Sequence, residues 1–159
     1  MQLASIKALV LDFDGVLTDN RALVHEDGSE SVWVNRSDGM GISLLRSRNF
    51  PMIVISSEKN PVVKARCDKL NVECVQGVSK KLPVLEQWTD SHGLSLSEVA
   101  YVGNDVNDIE CMQAVGLGVA PADAHPTVLA ITDMTLTHAG GFGAVRELAD
   151  RLLEQLNGG

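Results

Sequence analysis

Ile6-Lys7-Ala8-Leu9-Val10-Leu11-Asp12-Phe13-Asp14-Gly15 decides how this chain is read. Ile6 to Leu11 has the apolar, β-branched character of a buried strand, and it runs directly into two carboxylates. Asp12 and Asp14 therefore stand where a strand ends and a loop begins. Two residues apart, they would share one side of an extended backbone, and a turn after Leu11 can hold both near one place. Two carboxylates at a strand end suit metal-assisted phosphoryl transfer, in which one attacks, one moves protons and both lie near a cation.

The elements downstream fix the fold class. Pro51 to Ile55 reads as a second apolar strand ending in Ser56-Ser57, Val72 to Val75 as a short strand, and Glu98 to Val102 as a strand ending in Gly103-Asn104-Asp105. Leu117 to Ala120 and Met134 to Thr137 complete the strands. Helices are expected between them: one opening at Asp38-Gly39 with Met40, Ile42, Leu44 and Leu45 as its apolar face, and one from Asn60-Pro61 to about Leu70. Others run from a Ser79 cap to His92, over Asp108 to Val115, briefly from Asp123 or Ala124, and from Gly143 to Leu156. Strands alternating with helices predict an α/β, Rossmann-like three-layer fold with a mostly parallel sheet. Ala22 to His25 and Val32 to Val34 flank Glu26-Asp27-Gly28-Ser29 and predict a protruding β-hairpin over about residues 20–35. The reading is one domain over residues 1–159, with no cap domain and no repeats.

Bulk properties exclude several classes. Thirteen basic against twenty-one acidic residues give a net charge of −8, which disfavours nucleic acid and anionic membrane as partners. No apolar run is long enough to span a bilayer, and Met1 does not open a secretory signal pattern, so a cytoplasmic location is expected. Cys67, Cys74 and Cys111 are odd in number and form no CxxC pair, as reduced thiols do. The same negative charge would repel a phosphorylated substrate unless a metal or a local cation reverses the field at the site.

In a parallel sheet, ligands collect outside the carboxyl ends of the strands. The polar residues at those ends are Asp12, Asp14, Ser56, Ser57, Asp105 and Asp108, and Lys80-Lys81 opens the helix before the Glu98–Val102 strand. Taken singly, each suits a turn, a cap or a solvated helix end. Four such signals at one sheet edge make a site.

Asp12-Phe13-Asp14-Gly15-Val16-Leu17-Thr18-Asp19, Ser56, Lys81 and Gly103-Asn104-Asp105-Val106-Asn107-Asp108 resemble the four motifs of the haloacid dehalogenase superfamily. The Asp-Gly-Val-Leu-Thr-Asp form and the spacing are similar to its capless sugar-acid phosphatases. That group includes octulosonate 8-phosphate and nonulosonate 9-phosphate phosphatases and the terminal module of some acylneuraminate cytidylyltransferases. Segments 37–42, 122–126 and 140–147 resemble it too. The resemblance implies that Asp12 is the nucleophile and Asp14 the general acid and base. It implies Mg2+ held by Asp12, the Asp14 carbonyl and Asp105, with Asn104 and Asp108 close behind. Ser56 and Lys81 would bind the phosphoryl group, Lys80 being the weaker candidate.

The same resemblance implies a tetramer. A site without a cap domain needs another cover, and the hairpin's Val24, Val32, Trp33 and Val34 have no obvious core of their own. Hairpins packing together would let a neighbour close each site, with Arg36 or Asp38 reaching its substrate. Glu58, Arg66 and Lys69 resemble the sugar-contacting group of the nonulosonate enzymes, whereas octulosonate enzymes carry Gly-Arg in place of Ser57-Glu58. A nine-carbon sugar-acid phosphate is therefore expected to be preferred. Two other readings stand beside this one: a weakly or non-catalytic oligomerisation module associated with a cytidylyltransferase, and a signalling receiver domain. The receiver reading fits poorly, because a receiver's phosphate-accepting Asp follows its third strand.

Overall fold

A computed structural model describes residues 2–158. The strands are β1 (Ala8–Leu11), β2 (Leu23–Val24), β3 (Glu30–Ser31), β4 (Met52–Ile55), β5 (Glu73–Val75), β6 (Val99–Val102), β7 (Leu117–Ala120) and β8 (Met134–Thr135). The α-helices are α1 (Arg36–Ser47), α2 (Val62–Leu70), α3 (Lys81–Ser91), α4 (Ile109–Ala114), α5 (Pro126–Leu129) and α6 (Ala144–Gly158). Six strands form one sheet in the order β5-β4-β1-β6-β7-β8, every pair parallel. β2 and β3 form the separate antiparallel hairpin.

The strands read as unbroken apolar runs because both sheet faces are covered. Side-chain alternation divides β1: Leu9 and Leu11 join Ile42, Leu45, Val63, Leu148 and Leu152 on one face. Ala8 and Val10 join Leu85, Trp88, Met112 and Val128 on the other. Each such side chain taken fully out of water contributes roughly 1.5–3 kcal/mol, so a short strand can be anchored firmly by both layers. The order places the topological switch at β1 and β6, where their carboxyl ends leave a crevice. A receiver-type sheet has a different strand order, which removes that reading.

Several local expectations change. α1 begins at Arg36, because Asn35 caps it by accepting the Ser37 and Asp38 N–H groups. Its buried face is Asp38, Gly39, Gly41, Ile42 and Leu45, while Met40 and Leu44 are exposed. α6 packs so closely there that a Cβ on Gly41 would press on Ala149 and the Arg146 backbone. Lys80, not Ser79, is the N-cap of α3 and makes no side-chain cap bond. α5 starts at Pro126 behind a His125 cap, which leaves Asp123 outside the helix. Val32 and Val34 are half-buried and pack on the main core, and Val34 bridges to Thr18. Leu23, Val24 and Trp33 are the large apolar hairpin residues left exposed.

Candidate active site

β1 delivers Asp12 directly to the crevice. Its N–H donates to the Val102 carbonyl at 3.0 Å, so the sheet ladder still holds its backbone. Beyond it the chain turns tightly, and the Phe13 carbonyl accepts the N–H groups of Val16, Leu17 and Thr18. This turn returns Asp14 to the cavity that Asp12 lines. Gly15 makes it possible at φ +81°, a left-handed conformation, where a Cβ would collide with the Asn104 amide.

Asp12 is buried, and its Oδ1 accepts the Phe13 N–H at 2.7 Å and pairs with Lys81 Nζ at 3.0 Å. Lys81, itself buried, also binds Asp108 Oδ1 at 2.8 Å. Asp108 is completely enclosed. Its Oδ1 accepts the Tyr101 hydroxyl at 2.6 Å, and its Oδ2 accepts the Asn104 and Asp105 N–H groups at 3.0 and 3.4 Å. It thereby folds the loop after β6 around the ammonium group. Asn104, with its amide oriented to satisfy its neighbours, donates to Asp12 Oδ2 at 3.0 Å and to the Asp14 carbonyl at 2.9 Å. Ser56 continues β4, its N–H committed to the Val75 carbonyl. Its hydroxyl accepts the Glu58 N–H at 3.1 Å, which leaves the hydroxyl hydrogen to be donated.

A cavity of about 240 Å³ opens on this cluster, lined by Asp12, Asp14, Ser56, Glu58, Asn104 and Asp105 among others. Burial, then repulsion from Asp108, pushes the Asp12 carboxyl well up, with Lys81 pulling the other way. Burial would push Lys81 down, but Asp12 and Asp108 outweigh it and hold the ammonium up. Asp14 is raised by burial and then by the nearby charges of Glu58 and Glu30. Asp12 and Asp108 both bind the one buried ammonium, and Asp14 and Asp105 line the cavity beside them with no cation of their own in contact.

That imbalance fits a divalent ion. Among the described residues no three His, Cys, Asp or Glu side chains converge as a ready-made metal cage. The site offers instead two carboxylates, Asp12 and Asp105, with the Asp14 carbonyl: sparse, all-oxygen ligation of the kind Mg2+ accepts while keeping waters. A cation there would favour ionised Asp12 against the effect of burial.

The residues expected to recognise sugar separate. Glu58 lines the cavity. Arg66 instead donates to the Asn35 carbonyl at 3.3 Å and lies against Gly39. Lys69 is exposed on α2. Asp38, expected at a neighbour's substrate, is buried, and its Oδ1 accepts the Arg146 N–H at 2.9 Å, tying α1 to the start of α6. Arg36 is exposed. His138 is fixed by Glu147 at 2.8 Å. Tyr101, Asn20 and Glu30 are site neighbours that sequence reasoning missed. Only Tyr101 carried a signal, as a hydroxyl within an otherwise apolar strand that ends at the site.

Residues 57–147 match the family model described as haloacid dehalogenase-like hydrolase. The chain belongs to that family. It is 39% identical over 150 residues to the 3-deoxy-D-manno-octulosonate 8-phosphate phosphatase KdsC of Salmonella typhi, covering 94% of this chain and 80% of the relative. Among solved structures, the 3-deoxy-D-manno-octulosonate 8-phosphate phosphatase of Yersinia pestis superposes with a TM-score of 0.95 at 32% identity, over 98% of this chain and 85% of that one. The Moraxella catarrhalis enzyme, solved with magnesium ion, phosphate ion and KDO, has a TM-score of 0.93 at 29% identity, over 98% of this chain and 90% of its own. The family makes this chain a haloacid dehalogenase-like hydrolase, and the relatives it resembles are phosphatases, one of them solved with a magnesium ion.

Proposed function

We propose that the chain hydrolyses a sugar-acid phosphate through an aspartyl-phosphate intermediate, with Asp12 as nucleophile and Asp14 as general acid and base. The carrying observation is Asp12 itself: it ends a buried strand, is gripped by Lys81 and Asn104, and faces a polar cavity beside a carboxyl raised by burial. An Asp12 oxygen attacks phosphorus as the bond to the sugar oxygen breaks, and Asp14 gives that oxygen its proton. Asp14, now ionised, takes a proton from water, which attacks phosphorus and releases phosphate and free Asp12. Lys81 and the Ser56 hydroxyl neutralise and orient the phosphoryl oxygens. Magnesium held by Asp12, Asp105 and the Asp14 carbonyl would supply charge neutralisation at the phosphoryl group.

Two further cavities adjoin the first, sharing Asp14, Asn20 and Glu58 and then Glu30, Glu58, Asn60 and Val62, so a groove runs from the aspartates to the hairpin. The sugar would lie there. Glu58 is its specificity residue, and Ser57-Glu58 supports a nine-carbon over an eight-carbon acid. The eight-carbon reading is favoured by the octulosonate phosphatases at 39% identity. Arg21 faces the groove but pairs with Asp19 at 2.8 Å, so a substrate carboxylate would find its cation in a neighbouring chain, with Arg36 as candidate. Exposed Leu23, Val24 and Trp33 support an oligomer, expected to be a tetramer. The test is kcat/KM for both sugar-acid phosphates with Mg2+, in wild type and Asp12→Asn. A nine-carbon preference with Asp12→Asn inactive is expected. An active Asp12→Asn removes the mechanism, and an eight-carbon preference removes the finer specificity.

A further inference from the structure

Gly140-Gly141-Phe142-Gly143 precedes α6, and from sequence it suits equally a turn before that helix or a flexible edge near the active site. The fold lays it against the catalytic loop. Gly141 donates its N–H to the Val16 carbonyl at 3.2 Å. A Cβ on Gly140 would drive into the Gly15 carbonyl oxygen, and one on Gly141 would strike the Thr18–Asp19 peptide. Gly140 is in turn held by Asp123, whose Oδ1 accepts its N–H at 2.9 Å. The Ala122 N–H donates to the His138 carbonyl at 3.0 Å, joining the two strand-end loops a second time. On its other side the catalytic loop meets Asn104, which holds the Asp14 carbonyl. The Asp14–Gly15 segment is therefore clamped between an amide from the β6 loop and bare backbone from the loop after β8. Within it, Val16, Leu17 and Thr18 are buried, and Thr18 Oγ1 accepts the Gly15 N–H at 3.1 Å. A shift of Gly15 has few ways to dissipate before it reaches Asp14.

We propose that Gly140 and Gly141, anchored by Asp123, are positioning residues that set the Asp14 carboxyl for proton transfer to the leaving oxygen. They touch neither substrate nor metal. Gly140 acts by allowing backbone contact with Gly15 that any side chain would break. Asp123 acts by fixing where that contact falls. This inference rests on the general-acid role of Asp14, and the experiment separates the two.

The measurement is kcat/KM, with Mg2+, for an alkyl phosphate and for p-nitrophenyl phosphate. It is made in wild type, Asp14→Asn, Gly140→Ala, Asp123→Ala and Asp123→Asn, with thermal unfolding of each. An alkoxide needs the proton as it leaves and a nitrophenolate scarcely does, so losing acid catalysis falls mainly on the alkyl ester, by ~10²-fold or more. Gly140→Ala should behave like Asp14→Asn, losing about 100-fold on the alkyl phosphate and much less on the aryl one. Asp123→Ala should show the same selective loss in smaller degree. Asp123→Asn, which keeps an accepting oxygen, should recover most of it. Equal losses on both esters in Gly140→Ala and Asp123→Ala, or no loss in either, would overturn the proposal. Should Gly140→Ala fail to fold, Asp123→Ala decides alone, since its side chain is exposed. If Asp14→Asn itself shows no selectivity, the acid role fails and the clamp fails with it. A selective Asp14→Asn beside an unselective Gly140→Ala rejects the clamp alone.

Discussion

The end of β1 and the hairpin lie on opposite sides of one groove and are built in opposite ways. At the strand end every group is committed: Asp12, Lys81, Asp108, Tyr101 and Asn104 satisfy one another in a buried cluster. In the hairpin, β2 carries Leu23 and Val24 into solvent, and Trp33, just past β3, is 72% exposed. On the proposed reading the catalytic groups all come from one chain, whereas a neighbour completes the cover over the substrate. A catalytic geometry has to be rigid before substrate arrives. A recognition surface can be finished by another molecule.

The largest expected effect is on the rigid side. Lys81→Met strands two buried carboxylates against each other, and losing one partner of such a cluster costs ~3–5 kcal/mol. We expect kcat to fall about 10³-fold, with the unfolding midpoint lowered unless Mg2+ is present. Activity within a few-fold of wild type would mean that the cluster is not the working part. The hairpin comes next. Trp33→Glu should leave the monomer folded but lower its order in sedimentation, and should raise KM about tenfold with kcat less changed. An unaltered oligomer and KM would break the contrast, because the exposed face would then have no partner to lose.

The smallest effect lies on the border between the two regions. Glu58 and Glu30 add to burial in raising the Asp14 carboxyl. A raised acid stays protonated to higher pH, so the first step fails as pH rises through its value. Glu58→Gln removes one repelling charge, lowers that value, and should move the alkaline limb of kcat/KM to lower pH by a few tenths of a unit. A shift the other way would mean that Glu58 does not act on Asp14 through its charge.

The same division explains what was legible in the sequence. Apolar runs ending in Asp12, Ser56 and Gly103-Asn104-Asp105 gave the parallel sheet and one edge of it, since burial on both faces leaves an unbroken signature. Lys81 could be chosen over Lys80 only through the family motif, as both open the same helix. What was hidden depends on distant partners. Asp38 meets the α6 backbone 108 residues away. Arg66 turns towards Asn35, not the groove, because Gly39 leaves room for it. Val32 and Val34 looked homeless because nothing local shows that the hairpin base reaches the main core. Gly140 suited a turn and an edge of the site equally, because the atoms excluding a side chain belong to Gly15.

Asp12 is proposed to carry the phosphoryl group between substrate and water. Stereochemistry at phosphorus tests it without any mutation. With a phosphate monoester made chiral by oxygen isotopes and a solvent oxygen isotope, two successive in-line displacements invert the centre twice. Net retention of configuration is expected; net inversion would show that water attacks the ester directly, with no phosphoryl group on Asp12.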